Sequence, residues 1–389
     1  MKRLLIILSV VVPTFAVSCI NRGAGNSLYI PLVAEASSDT SSAACRMLKC
    51  AGADGKYGSI SVVGPLDDAF FMAEEFLSCD RFDNVDGQDK PDGLPDFSGE
   101  TLTVISDEAD SPYAGYVNAA DEPHLREVAV WNFLSALDTV SYASQYDREH
   151  KFRKTGAKVA VLASSYLSAY GYADIQALDS KVKVISPVHS MFRYALEKSS
   201  GEAVSIGVWT TDEILGSGIY STVASGISDQ YPSMTYCVLC PARDSSLENR
   251  ILSYLRLYRA SGADRKLDAV LVDDLPLKAD ELNDALDYMR VNADDILAVY
   301  WNMLSDSFGF VDARMAASTE CMEYLRSENQ FTHRIAYPKA DFYVTVPETE
   351  SSSGVPFLLV GMTRKNFPDT LLSLNKANAC KIYEAYVSE

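Results

Sequence analysis

Positive charge is scarce in this chain. Its 389 residues hold 34 Lys and Arg against 53 Asp and Glu, a formal net charge of -19. No basic patch interrupts that excess. Nucleic acid, which is gripped by Lys and Arg neutralising phosphates, is therefore excluded as a partner. Histidine is scarcer still. His124, His150, His189 and His333 are the whole set, and they show neither metal-ligand spacing nor a triad partner. Cys237-Val-Leu-Cys240 has redox or zinc spacing, but no second CxxC and no His pair accompany it. A structural role for these thiols is expected, as for most buried free cysteines, and no metal site is expected. The apolar run at residues 4–12 is too short for a spanning helix, which needs about 20 residues.

With Lys2 and Arg3 before it and small residues after it, that run reads as a signal peptide over residues 1–18. Ala16-Val17-Ser18-Cys19 resembles a lipobox, so Cys19 is expected to be acylated. The alternative is an ordinary secretory signal with an incidental cysteine. Acylation would make the chain an envelope lipoprotein of a diderm bacterium, periplasmic or outer-membrane associated. Its membrane contact would be the lipid at Cys19 alone. Residues 19–57 are rich in Ser, Ala and Gly without a sustained period, and predict a flexible tether. Seven cysteines follow Cys19, and an odd count leaves at least one thiol unpaired within the chain.

Beyond the tether, short β-branched runs recur at residues 60–63, 102–105, 158–163, 182–185, 204–209, 235–238, 269–272, 296–300, 342–346 and 357–360. Helical patterns separate many of them, at 67–77, 123–137, 279–290, 313–326 and 371–386. Leu247, Ile251, Tyr254, Leu255 and Tyr258 mark one face of a further helix. It opens on the capping-box pattern Ser245-Ser-Leu-Glu248 and stops at Gly262. Strands alternating with helices imply βαβ units and a largely parallel sheet, with chemistry at the C-terminal strand ends. Asp80, Asp83, Asp86, Asp89 and Asp92 recur at every third residue, with Asp96 following. This stretch, 80–96, reads as a hydrated acidic insertion. Calcium is the alternative, although the EF-hand order of acids, glycine and glutamate is not met.

The strand ends resemble those of the aspartate/glutamate racemase superfamily, glutamate racemases most closely. Residues 206–220 run strand, Thr-rich loop, then Ser217-Gly-Ile-Tyr220 opening a helix, as that family does. Asp107 through Pro112-Tyr113 resembles its Asp-x4-Pro-Tyr-Gly, Cys240-Pro241 with Glu248 its Cys-Pro-x6-Glu, and Val311-Asp312-Ala313 its Ile-Asp-Ser turn. The resemblance spans about residues 60–360. It implies an α/β fold of two pseudo-symmetric lobes, each a mostly parallel sheet flanked by helices. The first lobe would hold 58–186 plus 294–389, and the second 187–293.

Racemisation without a cofactor removes a proton from one face of Cα and returns one to the other, so two bases must flank the carbon. A thiolate suits the task, since cysteine has a pKa of roughly 8.5 against about 3.9 for aspartate. The family holds its thiols in Ala-Cys-Asn-Thr and Gly-Cys-Thr-His turns. Here those turns read Ala163-Ser164-Ser165-Tyr166 and Val272-Asp273-Asp274-Leu275-Pro276, with no sulfur at either. The first-strand Asp-Ser-Gly is Gly64-Pro65-Leu66, or is displaced to Asp67-Asp68. Two-thiol racemisation is excluded. By resemblance the surviving ligand cradle is Asp107, Tyr113, Ser164, Ser165, Thr211, Ser217 and Glu248. Read locally, Thr211 and Ser217 are helix caps, Glu248 belongs to a capping box, Tyr113 is core and Asp107 satisfies loop amides.

Three functions follow from these residues. The first is a non-catalytic binding protein for an amino-acid-like or peptidoglycan-derived small ligand. The second is an enzyme of isomerase or decarboxylase type using Asp273 or Asp274 as its base, if burial raises a carboxyl pKa there. The third is an interaction protein whose cleft is closed by Tyr166 and Trp209. None of the three calls for a cofactor.

Overall fold

The computed structural model describes residues 29–84, 88–199, 203–244, 246–292, 297–334, 336–348 and 354–362. The signal peptide, Cys19 and the helix expected at 371–386 lie outside them. Among the described residues no helix is long and apolar enough to cross a membrane.

The strands are β1 (Ser59–Gly64), β2 (Thr101–Ser106), β3 (Val140–Ser144), β4 (Asp147–Arg153), β5 (Ala157–Leu162), β6 (Lys183–Ile185), β7 (Ser205–Thr210), β8 (Thr235–Leu239), β9 (Leu267–Asp273), β10 (Leu304–Asp312), β11 (Lys339–Pro347) and β12 (Phe357–Gly361). They form two sheets, ordered β4-β3-β12-β11-β2-β1-β5-β6 and β10-β9-β7-β8. The smaller sheet is parallel throughout, and so is the run from β11 to β6 in the larger one. Strands β1, β5 and β7 are buried along their whole length, as parallel strands covered on both faces are.

In β1, Ile60 and Val62 face a core shared with the helices Leu66–Ser78 and Ala313–Ser327. Val63 faces the opposite core, which includes the helix Glu122–Leu137 and continues into the second lobe. The two-lobe α/β architecture is therefore as expected. Its boundary is not. Strand β10 pairs with β9, so the second lobe runs on to Asp312 and does not end at 293. The strand expected at 296–300 is instead a short helix, Ala298–Trp301, and the pairing strand lies further along.

The tether also needs correction. Pro31–Ser38 and Ala43–Leu48 are helices, the second capped by Ser42 accepting from the Cys45 amide. Leu32, Val33, Ala36, Ala44 and Met47 are buried in the same core as the helix Glu122–Leu137. The Asp174 carboxylate fastens the segment, accepting from the Ile30 amide at 3.1 Å and from Arg126 Nε at 2.6 Å. Each helix is too short to show a helical period, so small, Ser-rich composition hid them.

In the acidic insertion the carboxylates close backbone turns. Asp80 accepts from the amides of Asp92 and Gly93, Asp92 from Asn84 and Leu94, and Asp96 from Arg81 and Phe82. Their oxygens serve loop amides, and among the described residues no carboxylate, thiol and imidazole set has the arrangement of a metal site.

Candidate functional site

Four parallel strands bring their C-terminal ends to one place, two from each sheet. β1 delivers Asp67 and Asp68 at the first turn of Leu66–Ser78. β5 delivers Ser164, Ser165 and Tyr166, β7 delivers Thr210 and Thr211, and β9 delivers Asp273 and Asp274. Thr210 and Asp273 are register partners, so the β7 and β9 loops leave the sheet side by side. Between the lobes lies a cleft of about 610 Å³ lined by these turns, with Phe71, Asp212, Glu213, Ile214, Arg243, Leu275 and Pro276. A smaller pocket of about 140 Å³ adjoins it, sharing Thr211, Asp212, Arg243 and Asp274 and adding Trp209, Thr210, Cys240 and Arg250.

Hydrogen bonds join the lobes across the cleft. Ser165 Oγ donates to Asp273 Oδ2 at 2.6 Å, and the Tyr166 hydroxyl donates to Glu213 Oε1 at 3.0 Å. Asp273 is 8% exposed, and its burial raises the carboxyl pKa despite the Ser165 bond. Asp68 is pushed up to about 8, first by burial and then by the charges of Asp273 and Asp67, against a hydrogen bond from Ser164. Asp273 therefore holds Asp68 toward the protonated form, while Asp273 is itself raised by burial and by Asp274. Asp274 is held differently, as it accepts from Arg250 Nη2 at 2.6 Å. That guanidinium lies over the Trp209 ring, 5.5 Å from its centroid. Tyr166 is also raised, by burial and by Glu213, and stays a hydrogen-bond donor at neutral pH.

The structure thus gathers Ser164, Ser165, Thr211, Asp273 and Asp274 of the expected site into one cleft. Four other expected residues lie elsewhere. Asp107 is buried among three donors: Tyr113 Oη at 2.7 Å, Asn132 Nδ2 at 2.6 Å and Thr345 Oγ1 at 2.7 Å. Asp107 and Tyr113 thus saturate each other inside the first lobe and line neither pocket. Ser217 donates to the Ile214 carbonyl at 2.7 Å and finishes the short helix Asp212–Ser217. Glu248 accepts from Ser246 Oγ at 2.5 Å, which lowers its pKa. The cap of that helix is Ser246, accepting from the Asn249 amide, so the capping register is one residue later than the sequence pattern implied. Thr211 caps its helix by accepting from the Ile214 amide at 3.4 Å and also lines the cleft.

Tyr166 and Trp209 do not close the space. Tyr166 forms one wall, and Trp209 is stacked on Tyr254 with ring centroids 5.5 Å apart. Sequence reasoning passed over Glu213, Arg243 and Arg250 and left Asp68 as a mere alignment option. Asp68, Glu213 and Arg243 all lie within four residues of a strand end, which is the signal that could have found them, whereas Arg250 lies inside a helix. No cysteine lines the larger cleft among the described residues. Cys240 lines the smaller pocket, its thiol raised to about 11 by burial and by Asp212.

No family model matches the sequence, and no curated protein matches it. Among solved structures the chain is similar to a glutamate racemase isoform of Bacillus anthracis, at 15% identity over 75% of this chain and 90% of that one, with a TM-score of 0.45. It is also similar to a glutamate racemase of Francisella tularensis subsp. tularensis solved with D-glutamate, at 14% identity over 76% and 90%, TM-score 0.44. The glutamate racemase of Campylobacter jejuni subsp. jejuni gives 12% identity over 74% and 92%, TM-score 0.40.

Proposed function

We propose that the chain is a binding protein for a small amino-acid-like ligand or a peptidoglycan-derived fragment, held in the cleft between the lobes, and that it does not run two-thiol racemisation. One observation carries this reading. The strand-end cleft is open, about 610 Å³, and lined by hydroxyls and carboxylates with no thiol among the described residues. A cavity of that size suits a small ligand with a few convergent polar groups. Deprotonating Cα from one side and reprotonating it from the other needs a base on each. The serine turn offers no base at neutral pH, since an alcohol is far too weak an acid to give up its own proton there and then accept one from Cα.

A second reading rests on Asp68, pushed up to about 8, and on Asp273, which burial also raises above the ordinary carboxylate range, as general acid–base groups. One-face chemistry such as isomerisation or decarboxylation would then run from Asp273. Asp274, paired with Arg250, is the weaker base candidate. Acylation at Cys19 belongs to the same proposal. It places the binding module in the envelope, and palmitate labelling lost in Cys19→Ala is its check.

The binding reading is tested by thermal denaturation against a panel of amino acids and muropeptides. A ligand at about a hundred times its Kd stabilises by about 2.7 kcal/mol, a readily measured shift. A panel that moves the midpoint nowhere overturns the reading. Incubation with each stabilising amino acid in D₂O separates the two readings. Cα–H signals that persist favour binding alone, and exchange lost in Asp273→Asn favours the enzyme.

A further inference from the structure

We infer that the cleft selects a cationic amino acid, with its carboxylate seated in the small pocket beside Arg243 and Arg250 and its ammonium groups turned toward Asp68 and Asp273. This rests on the binding reading above and adds the charge and orientation of the ligand.

The carboxylate end is read from donors that lack acceptors. Thr210 is 2% exposed and lines the small pocket, and its hydroxyl has no hydrogen-bond partner among the described residues. Arg250 Nε, on the same pocket, is buried and equally unpartnered, although Nη2 of the same group is taken by Asp274. Buried polar groups are almost always satisfied, so two orphaned donors on one small wall mark the place of an absent acceptor. Arg243 is exposed on the shared rim of both spaces and adds a second guanidinium. Guanidinium and hydroxyl donors converging on a small pocket match a carboxylate, which accepts through two oxygens.

The ammonium end is read from charge. The cleft walls carry Asp67, Asp68, Asp212, Glu213, Asp273 and Asp274 against Arg243 alone, with Arg250 reaching in through Asp274. A neutral zwitterion would leave this imbalance as it is, and a dicarboxylate would deepen it. A ligand with one carboxylate and two ammonium groups reduces it. Asp273 is the cleft carboxyl most withdrawn from water and Asp68, half-buried, stands at the opposite strand end, and their raised pKa values fit a site that lacks its counter-cation.

Calorimetric titration of the full chain with lysine, ornithine, cadaverine, alanine and glutamate tests both ends at once. Lysine or ornithine is expected to bind at least about tenfold more tightly than glutamate and alanine, and than cadaverine, which lacks the carboxylate. Arg243→Gln and Thr210→Val should weaken lysine and leave cadaverine unchanged, whereas Asp273→Asn should weaken both. Circular dichroism and the melting midpoint confirm that each variant is folded. Glutamate binding as tightly as lysine overturns the inference and leaves the binding reading standing. Cadaverine matching lysine, or Arg243→Gln weakening both equally, overturns the carboxylate seat. Failure of every amino acid to bind overturns the inference, and the binding reading falls with it only when the muropeptides also leave the melting midpoint unmoved.

Discussion

Asp68 sits in the first turn of a helix, where the helix dipole ordinarily favours a carboxylate by about 0.3–1 kcal/mol. Its pKa nevertheless rises from 3.8 to about 8, and each unit is worth about 1.4 kcal/mol. Burial and the facing Asp273 therefore outweigh the dipole. The sign of the linkage follows. Between pH 3.8 and about 8 the folded protein keeps a proton on Asp68 that the unfolded chain has lost. Folding stability therefore falls as pH rises through that window. Asp273, also raised, acts in the same direction. Asp68→Asn is expected to flatten the decline of the urea midpoint between pH 4 and 8, leaving the remainder to Asp273. An unchanged slope in the variant would show that this carboxyl titrates as it does in water.

At the scale of elements, Asp107 ties together the end of β2, the helix Glu122–Leu137 and β11 through Asn132 and Thr345. Removing the acceptor would strand the buried Tyr113 and Thr345 hydroxyls, each costing about 1–3 kcal/mol when unpaired, while Asn132 keeps the Val128 carbonyl at 3.1 Å. Asp107→Ala is therefore expected to destabilise the fold by roughly 3 kcal/mol or more, read from denaturant unfolding. The affinity of the folded fraction for any cleft ligand should not move. A loss of affinity without a loss of stability would return Asp107 to the ligand cradle. The same scale explains which strands hid. β4 carries Asp147-Arg-Glu-His-Lys-Phe-Arg153 on the sheet edge, where charges oppose edge-to-edge pairing and erase apolar alternation. β10 opens on buried Leu304 but runs on through half-buried Ser305 and exposed Asp306 and Ser307, so only its final residues look like a strand.

For the whole molecule, the N-terminal helices are part of the core. Deleting residues 30–48 removes the buried side chains of Leu32, Val33 and Met47, each worth about 1.5–3 kcal/mol of burial. It also uncovers the helix Glu122–Leu137 and strips Asp174 of the Ile30 amide. The truncated protein should melt well below the full chain, by differential scanning calorimetry. An equal melting temperature would mean that the segment is a tether after all.

Much of this architecture is local, and local information is what one chain carries on its face. The alternation of buried strands with helices, the turns that hold Ser164-Ser165 and Asp273-Asp274, and the absence of sulfur from both turns were legible without coordinates. So was the placing of chemistry at strand ends. Tertiary packing decided what each strand-end side chain meets. It spent Asp107 and Tyr113 on each other, set Asp68 against Asp273 from different lobes, and brought Arg250 from a helix surface to Asp274. Charge, burial and orphaned donors depend on neighbours far apart along the chain. No periodicity records them, because a side chain's period fixes the face it occupies but not the group that face encounters.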